Sequence, residues 1–264
     1  MYVSVLATND EGLNSRFAHC PVFQARRKGP QIAYVHDGAV AGTDSDYQHD
    51  VFSLGMNFAI KSDFTEIINL RWGVSSQPSC HFDDSETNVV PLTPLGDSNA
   101  IHVSGLSLQH GSKYFTRLFA MDKFGLKTVL CSDGVLIDTT PPIPVSFQDG
   151  DGDKDAKFLA SLRRVRGKFE PFIDPESPIV KYEWKVVNNV SDKDVTSFIG
   201  IPLTQRTVLI EGLSLEAGTP YRLILRGSNA AGLQSVTQTD GFIPDVTSPP
   251  VSYTHLTLPT IYSV

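Results

Sequence analysis

Hydrophobic positions along this chain recur with a period of two. Tyr182, Trp184 and Val186 alternate with Lys181, Glu183 and Lys185, while Tyr221, Leu223 and Leu225 alternate with Arg222 and Arg226. Leu70, Trp72 and Val74 follow the same rhythm, as do Tyr114, Thr116 and Leu118, and the pair Ile101, Val103 matches the pair Val208, Ile210. Successive residues of a strand point to opposite faces, so this alternation predicts strands with one face buried. Gly, Asn, Asp and Pro punctuate the runs, and no stretch holds a helical period long enough to predict a helix. Short strands separated by such turns predict an all-β fold of antiparallel sandwiches.

The pattern is also repeated at long range. Residues 103–142 lie over residues 210–249 at a constant offset of 107 without a gap, and fifteen of the forty positions are identical, among them Gly111, Tyr114, Leu118, Gly125, Asp133 and Gly134. Ala7, Gly12 and Leu13 fall 113 residues before Ala120, Gly125 and Leu126, so the chain is expected to start inside a repeat. The first halves correspond as well: Asp37-Gly38 precedes Asp149-Gly150 by 112, and Trp72 precedes Trp184 by 112. An internal period of this length describes tandem units. The expected division is a remnant of two final strands at 1–28, complete units at 29–140 and 141–247, and a linker start plus tail at 248–264. Pro141, Pro142 and Pro144 follow the first complete unit, and proline fixes φ and removes a donor, so the two sandwiches are expected end to end on a stiff joint.

Within that frame the segment 208–235, VLIEGLSLEAGTPYRLILRGSNAAGLQS, resembles strand E, the E to F corner, strand F and the start of G of a fibronectin type III domain. The features that carry the resemblance are Leu213 before the corner, Gly218 within it, Tyr221 after it, and the Asn229 to Gly232 turn. Residues 101–128 repeat them, residues 2–15 repeat them in part, and 169–184 and the DTTPP segment are similar to repeats of long extracellular arrays. Phe58 and Phe169 stand where such domains usually place a strand B Trp. The resemblance implies tandem immunoglobulin-like sandwiches of a large animal extracellular protein, partnered by another extracellular or cell-surface protein. It implies a spacer and adhesion role without catalysis; the alternative is that these are accessory domains of a larger secreted enzyme or receptor. The tail 251–264, VSYTHLTLPTIYSV, continues neither repeat and resembles translated sequencing adapter, so it is expected to be foreign to a natural chain that runs on past Pro250.

Composition adds exclusions. With 22 Lys and Arg against 29 Asp and Glu, the net charge of −7 repels phosphate backbones, so no nucleic-acid partner is expected. The longest apolar runs fall well short of the ~18 residues of a spanning helix, so this stretch is not expected to insert into a membrane. The seven His show no metal-binding spacing, and no nucleophile elbow or phosphate-binding glycine loop occurs, so no enzyme site is expected.

Four groups of residues remain as candidates. Tyr114 and Tyr221 follow Gly111 and Gly218, as a tyrosine corner does when it ties a loop to a sandwich, and Trp72 and Trp184 sit on buried faces as core. Asp149, Asp151, Asp153 and Asp155 alternate like calcium ligands, although Lys154 and Ala160 stand where an EF-hand loop requires Gly and Glu; Ca²⁺ is the one cofactor considered. Asn189-Val190-Ser191 is a glycosylation sequon on a polar stretch after strand C, in keeping with an extracellular location. Cys20, Cys80 and Cys131 are odd in number. Cys80 and Cys131 share a unit, but a residue beside strand C′ and one on strand G are usually two strands apart, which leaves their pairing open.

Overall fold

The computed structural model describes residues 4–19, 28–61, 66–81, 87–96 and 98–249. Cys20 and the tail 251–264 lie outside the described residues. The chain forms two compact units, residues 1–139 and 140–264, and every named element is a strand.

The first unit opens with a short hairpin, β1 (Ser4–Val5) against β2 (Ala18–His19), with Ser4 opposite His19. Side chains 4–18 are exposed, and two strands without a core are marginal in water. The turn inside this hairpin shows how the repeat works locally. Asn9 Oδ1 accepts the amides of Glu11 and Leu13 at 3.2 and 2.9 Å, and Asp122 Oδ1 accepts those of Phe124 and Leu126 at 2.9 and 3.0 Å. Asn229 Oδ1 accepts Leu233 N–H at 2.8 Å. Each turn closes on a glycine in the left-handed region, Gly12, Gly125 or Gly232, where a side chain would be strained.

The sandwich that follows contains β3 (Ile32–Asp37), β4 (Tyr47–Gln48), β5 (Ser53–Ile60), β6 (Ile67–Ser75), β7 (Val90–Pro94), β8 (Ala100–Ser104), β9 (Lys113–Asp122), β10 (Lys127–Cys131) and β11 (Val135–Ile137). One sheet has the order β3-β5-β8. In the other, β7, β6 and β9 are followed by β10 and β11 on the far side of β9, and β11 reaches on to β4. The second unit contains β12 (Phe147–Asp149), β13 (Phe158–Leu159), β14 (Arg164–Phe169), β15 (Ile179–Asn188), β16 (Ile199–Ile201), β17 (Thr207–Glu211), β18 (Tyr221–Asn229), β19 (Gln234–Gln238) and β20 (Ile243–Pro244). Its sheets are β12-β14-β17 and β16-β15-β18-β19, with β13 beside β20. In letters, both units set A-B-E against C′-C-F-G, with A and G each broken in two. Among the described residues the parallel pairs are those between the second halves, β4 with β11 and β13 with β20.

Alternation decides what fills the space between the sheets. In the second unit Tyr182, Trp184 and Val186 of β15 and Tyr221, Leu223 and Leu225 of β18 are buried together with Val165, Phe169 and Val208 from the opposite sheet. In the first, Trp72, Val74, Tyr114 and Leu118 meet Val35, Leu54, Met56 and Phe58. Phe58 and Phe169 are thus buried strand B residues, and Phe169 packs on Tyr182 with ring centroids 5.2 Å apart. Gly227 of β18 lets Phe172 lie across the strand, since a Cβ there would come within 2.5 Å of that ring.

The open question of the cysteines is decided here. Cys80 and Cys131 form a disulfide with Cα atoms 5.9 Å apart, within the usual range. Strand counting is misleading because the segment after β6 does not stay at the C′ edge. It folds back over the outer face of β9, where the Arg117 guanidinium donates to the Ser79 carbonyl and to Ser79 Oγ, the latter at 3.0 Å. Arg117 lies opposite Cys131 in the β9–β10 register, so a chain crossing Arg117 reaches Cys131 directly. Arg117, on the face expected to be wet, is only 1% exposed as a result.

Candidate functional site at the broken A and G strands

The breaks in strands A and G fall at matching sequences. β3 ends on Asp37 and β12 on Asp149, and each is followed by a glycine with positive φ, Gly38 at 92° and Gly150 at 82°. These turns carry the chain away from the A-B-E sheet until β4 or β13 joins the opposite one. Strand G breaks at Ser132-Asp133-Gly134 between β10 and β11, and at Thr239-Asp240-Gly241 between β19 and β20; the glycines have φ of 92° and 104°. The hydroxyl at the start of each break is fixed in the ladder. Ser132 Oγ accepts Thr116 N–H at 2.9 Å, and Thr239 Oγ1 accepts Leu223 N–H at 3.0 Å.

Both breaks thereby gather carboxylates. One oxygen from each of Asp37, Asp44 and Asp133 lies within 4.8 Å of the others, and the same holds for Asp149, Asp155 and Asp240. Asp44 Oδ1 accepts the Asp37 amide at 2.8 Å, and Asp155 Oδ1 accepts the Asp149 amide at 2.6 Å. Asp37 and Asp149 are fully buried. Asp37 Oδ1 accepts Thr116 Oγ1–H at 3.0 Å and Asp149 Oδ2 accepts Gly241 N–H at 3.1 Å. The remaining oxygens, Asp37 Oδ2 and Asp149 Oδ1, are buried and find no hydrogen-bond partner among the described residues. Burial pushes both carboxyls up to about 7, against the opposing pull of nearby hydroxyls. Asp155 is raised too, by burial first and then by hydrogen-bond contact with the Asp240 carboxyl. Each triad offers hard oxygen donors only, with two exposed members leading in from the surface.

Of the four turn carboxylates, the structure brings Asp149 and Asp155 together. Asp151 instead forms an ion pair with the Arg166 guanidinium, and Asp153 is exposed on the bend. Asp240 and the whole first-unit triad escape a reading that looks for ligands within one turn. The repeat carried the signal, because Asp37-Gly38 lies over Asp149-Gly150 and Asp133-Gly134 over Asp240-Gly241.

The other candidates are placed as follows. Tyr114 OH accepts Gln109 N–H at 2.9 Å and Tyr221 OH accepts Glu216 N–H at 3.0 Å, each five residues back across the E to F corner. Tyr221→Phe removes that acceptor from a half-buried amide and is expected to lower the stability of the second unit by about 1 kcal/mol, read from urea unfolding; an unchanged midpoint would contradict it. Trp72 and Trp184 are buried at 8% and 2% exposure. Asn189 is exposed in the turn after β15, where its Oδ1 accepts from Arg222 Nη1 at 2.6 Å. A cavity of about 560 Å³ in the first unit is lined by Tyr34, Phe58, Ile60, Ile67, Leu70 and Leu95 along with amide and hydroxyl side chains, and among the described residues no His, Cys, carboxylate or cation lines it.

The fold thus defines a class: an all-β tandem of immunoglobulin-like sandwiches with the fibronectin type III strand order. No family model and no curated protein matches the chain. Among solved structures, the FN1–FN3 domains of chicken CNTN1 align over 90% of this chain and 77% of that one, at 13% identity and a TM-score of 0.37.

Proposed function

We propose that the chain is a non-catalytic stretch of an extracellular or cell-surface protein, in which tandem sandwiches set distance and present strand edges and loops to a protein partner. The observation that carries this is the path of the chain through each unit. In the second, Ile143 enters beside Ile173, just past the end of β14, while Pro244 leaves beside Gly218 in the corner before β18. In the first, Gln31 enters beside Lys61, just past the end of β5, and Ile137 leaves beside Gly111. These are opposite ends of each sandwich, so within each unit the chain enters at one end and leaves at the other.

The Cys80–Cys131 bridge and the exposed Asn189 sequon support an oxidising, secretory setting. Affinity in such a module comes from surfaces and edges, as in strand addition, and not from a deep pocket. The test is secretion of the full chain from animal cells followed by small-angle scattering. The expected result is a glycan on Asn189 that Asn189→Gln removes, an intact Cys80–Cys131 bridge, and a scattering profile of two units in line. A compact globule, or retention of the chain as a reduced and unglycosylated protein, would overturn the reading.

A further inference from the structure

We propose that each sandwich binds one calcium ion where its A and G strands break, through Asp37, Asp44 and Asp133 in the first unit and Asp149, Asp155 and Asp240 in the second. The inference does not depend on the spacer reading. It begins with recurrence. The two triads stand at offsets of 112, 111 and 107 residues, in corresponding loops of two units whose sequences otherwise differ at most positions. In both units the loop after strand A returns an Asp whose Oδ1 accepts the amide of the buried one.

The second observation points directly to a ligand. Asp37 and Asp149 are fully buried, and each keeps one carboxylate oxygen without a hydrogen-bond partner among the described residues. Burying a carboxylate oxygen unpaired is costly, and proteins that do so normally supply a cation or a donor. The groups acting most strongly on Asp37 are the hydroxyls of Ser132 and Thr116 and the carboxylates of Asp44 and Asp133; those acting on Asp149 are Thr239, the Gly241 amide, Asp155 and Asp240. No ammonium or guanidinium stands among them. In both units a buried acid that keeps one oxygen unpartnered stands with two exposed acids, one oxygen of each within 4.8 Å of the others, an arrangement that a divalent cation completes.

Calcium is the ion that the donor set selects. All donors are hard oxygens, which disfavours zinc and copper, whose sites use nitrogen and sulfur. The three acids come from a strand end, a loop and a strand break, an irregular set that suits an ion taking six to eight ligands better than Mg²⁺, which demands a regular octahedron. Carbonyls and water complete the shell. Asp44, Asp133, Asp155 and Asp240 are exposed, so the ion enters from solvent and then ties the A-strand loop to strand G. Asp151 is no ligand here, because Arg166 engages it.

The experiment uses the full chain, stripped with EDTA, titrated calorimetrically with CaCl₂, MgCl₂ and ZnCl₂ in separate runs and followed by thermal unfolding. Two calcium ions per chain are expected, with a rise in unfolding temperature on addition of CaCl₂ and Mg²⁺ at least about tenfold weaker. Asp240→Asn and Asp133→Asn alter exposed side chains and spare the buried acids; each is expected to leave one calcium ion, and the double variant none, with the circular dichroism of the parent. Asp151→Asn is expected to keep both. No binding heat and no thermal shift up to ~10 mM CaCl₂ would overturn the proposal, a range that already covers weak extracellular sites. Undiminished calcium binding by the folded double variant would overturn it as well, and so would zinc binding tighter than calcium.

Discussion

Trp184→Ala is expected to destabilise the second unit by about 3 to 5 kcal/mol, the range for truncating a buried large aromatic. Trp184 lies at the centre of β15, opposite Ile199 of β16 and Leu225 of β18, and its side chain reaches the layer that holds Phe169, Val208 and Leu223. Two flanking strands and the facing sheet leave little room for collapse into the space the ring vacates, so cavity cost adds to lost transfer energy. Urea unfolding followed by amide exchange reads the effect: β15 and β18 should lose protection while β6 and β9 keep theirs. A loss below about 1 kcal/mol would mean that the ring is not central to that core.

Opening the Cys80–Cys131 bridge is expected to cost the first unit about 3 to 4 kcal/mol. The bridge spans a sequence separation of 51 residues, for which the chain-entropy account gives roughly 4 kcal/mol. The loss should also have a local component. Without the bridge, the segment carrying Ser79 still meets β9 through the Arg117 guanidinium, a group that needs this cover to stay out of water with its charge engaged. The double variant Cys80→Ala, Cys131→Ala, compared with the parent in urea, gives the magnitude, and amide exchange gives the place, with β9 and β10 affected first and the second unit unchanged. A midpoint equal to that of the parent would show that the segment is held without the bridge.

Most of the fold was legible in the sequence because burial in a sandwich is written with a period of two. Trp184 between Glu183 and Lys185, or Leu118 inside the repeated corner segment, reports its face through its immediate neighbours. The turns were legible for a similar reason: Asn9, Asp122 and Asn229 bond amides two to four residues ahead and need only a glycine nearby. Even the Tyr114 and Tyr221 hydroxyls reach only five residues back.

The acidic site was half legible. The repeat aligned Asp37 with Asp149 and Asp133 with Asp240, but a reading confined to consecutive residues chose Asp151 and Asp153, which share a turn with Asp149 without sharing its surroundings. Alternate acids in a loop say nothing about where a strand 90 residues further along will break.

The sequence by itself therefore determined the β class, the tandem repeat, the core residues and the corner turns, because each depends on interactions within a few residues or on the period of one strand. Only the tertiary structure decided the Cys80–Cys131 pairing, the burial of Arg117 and the convergence of Asp149, Asp155 and Asp240. Those depend on which way a loop turns after leaving its sheet and on which two broken strands meet. Such long-range geometry is set by the packing of the whole sandwich, and local pattern does not encode it.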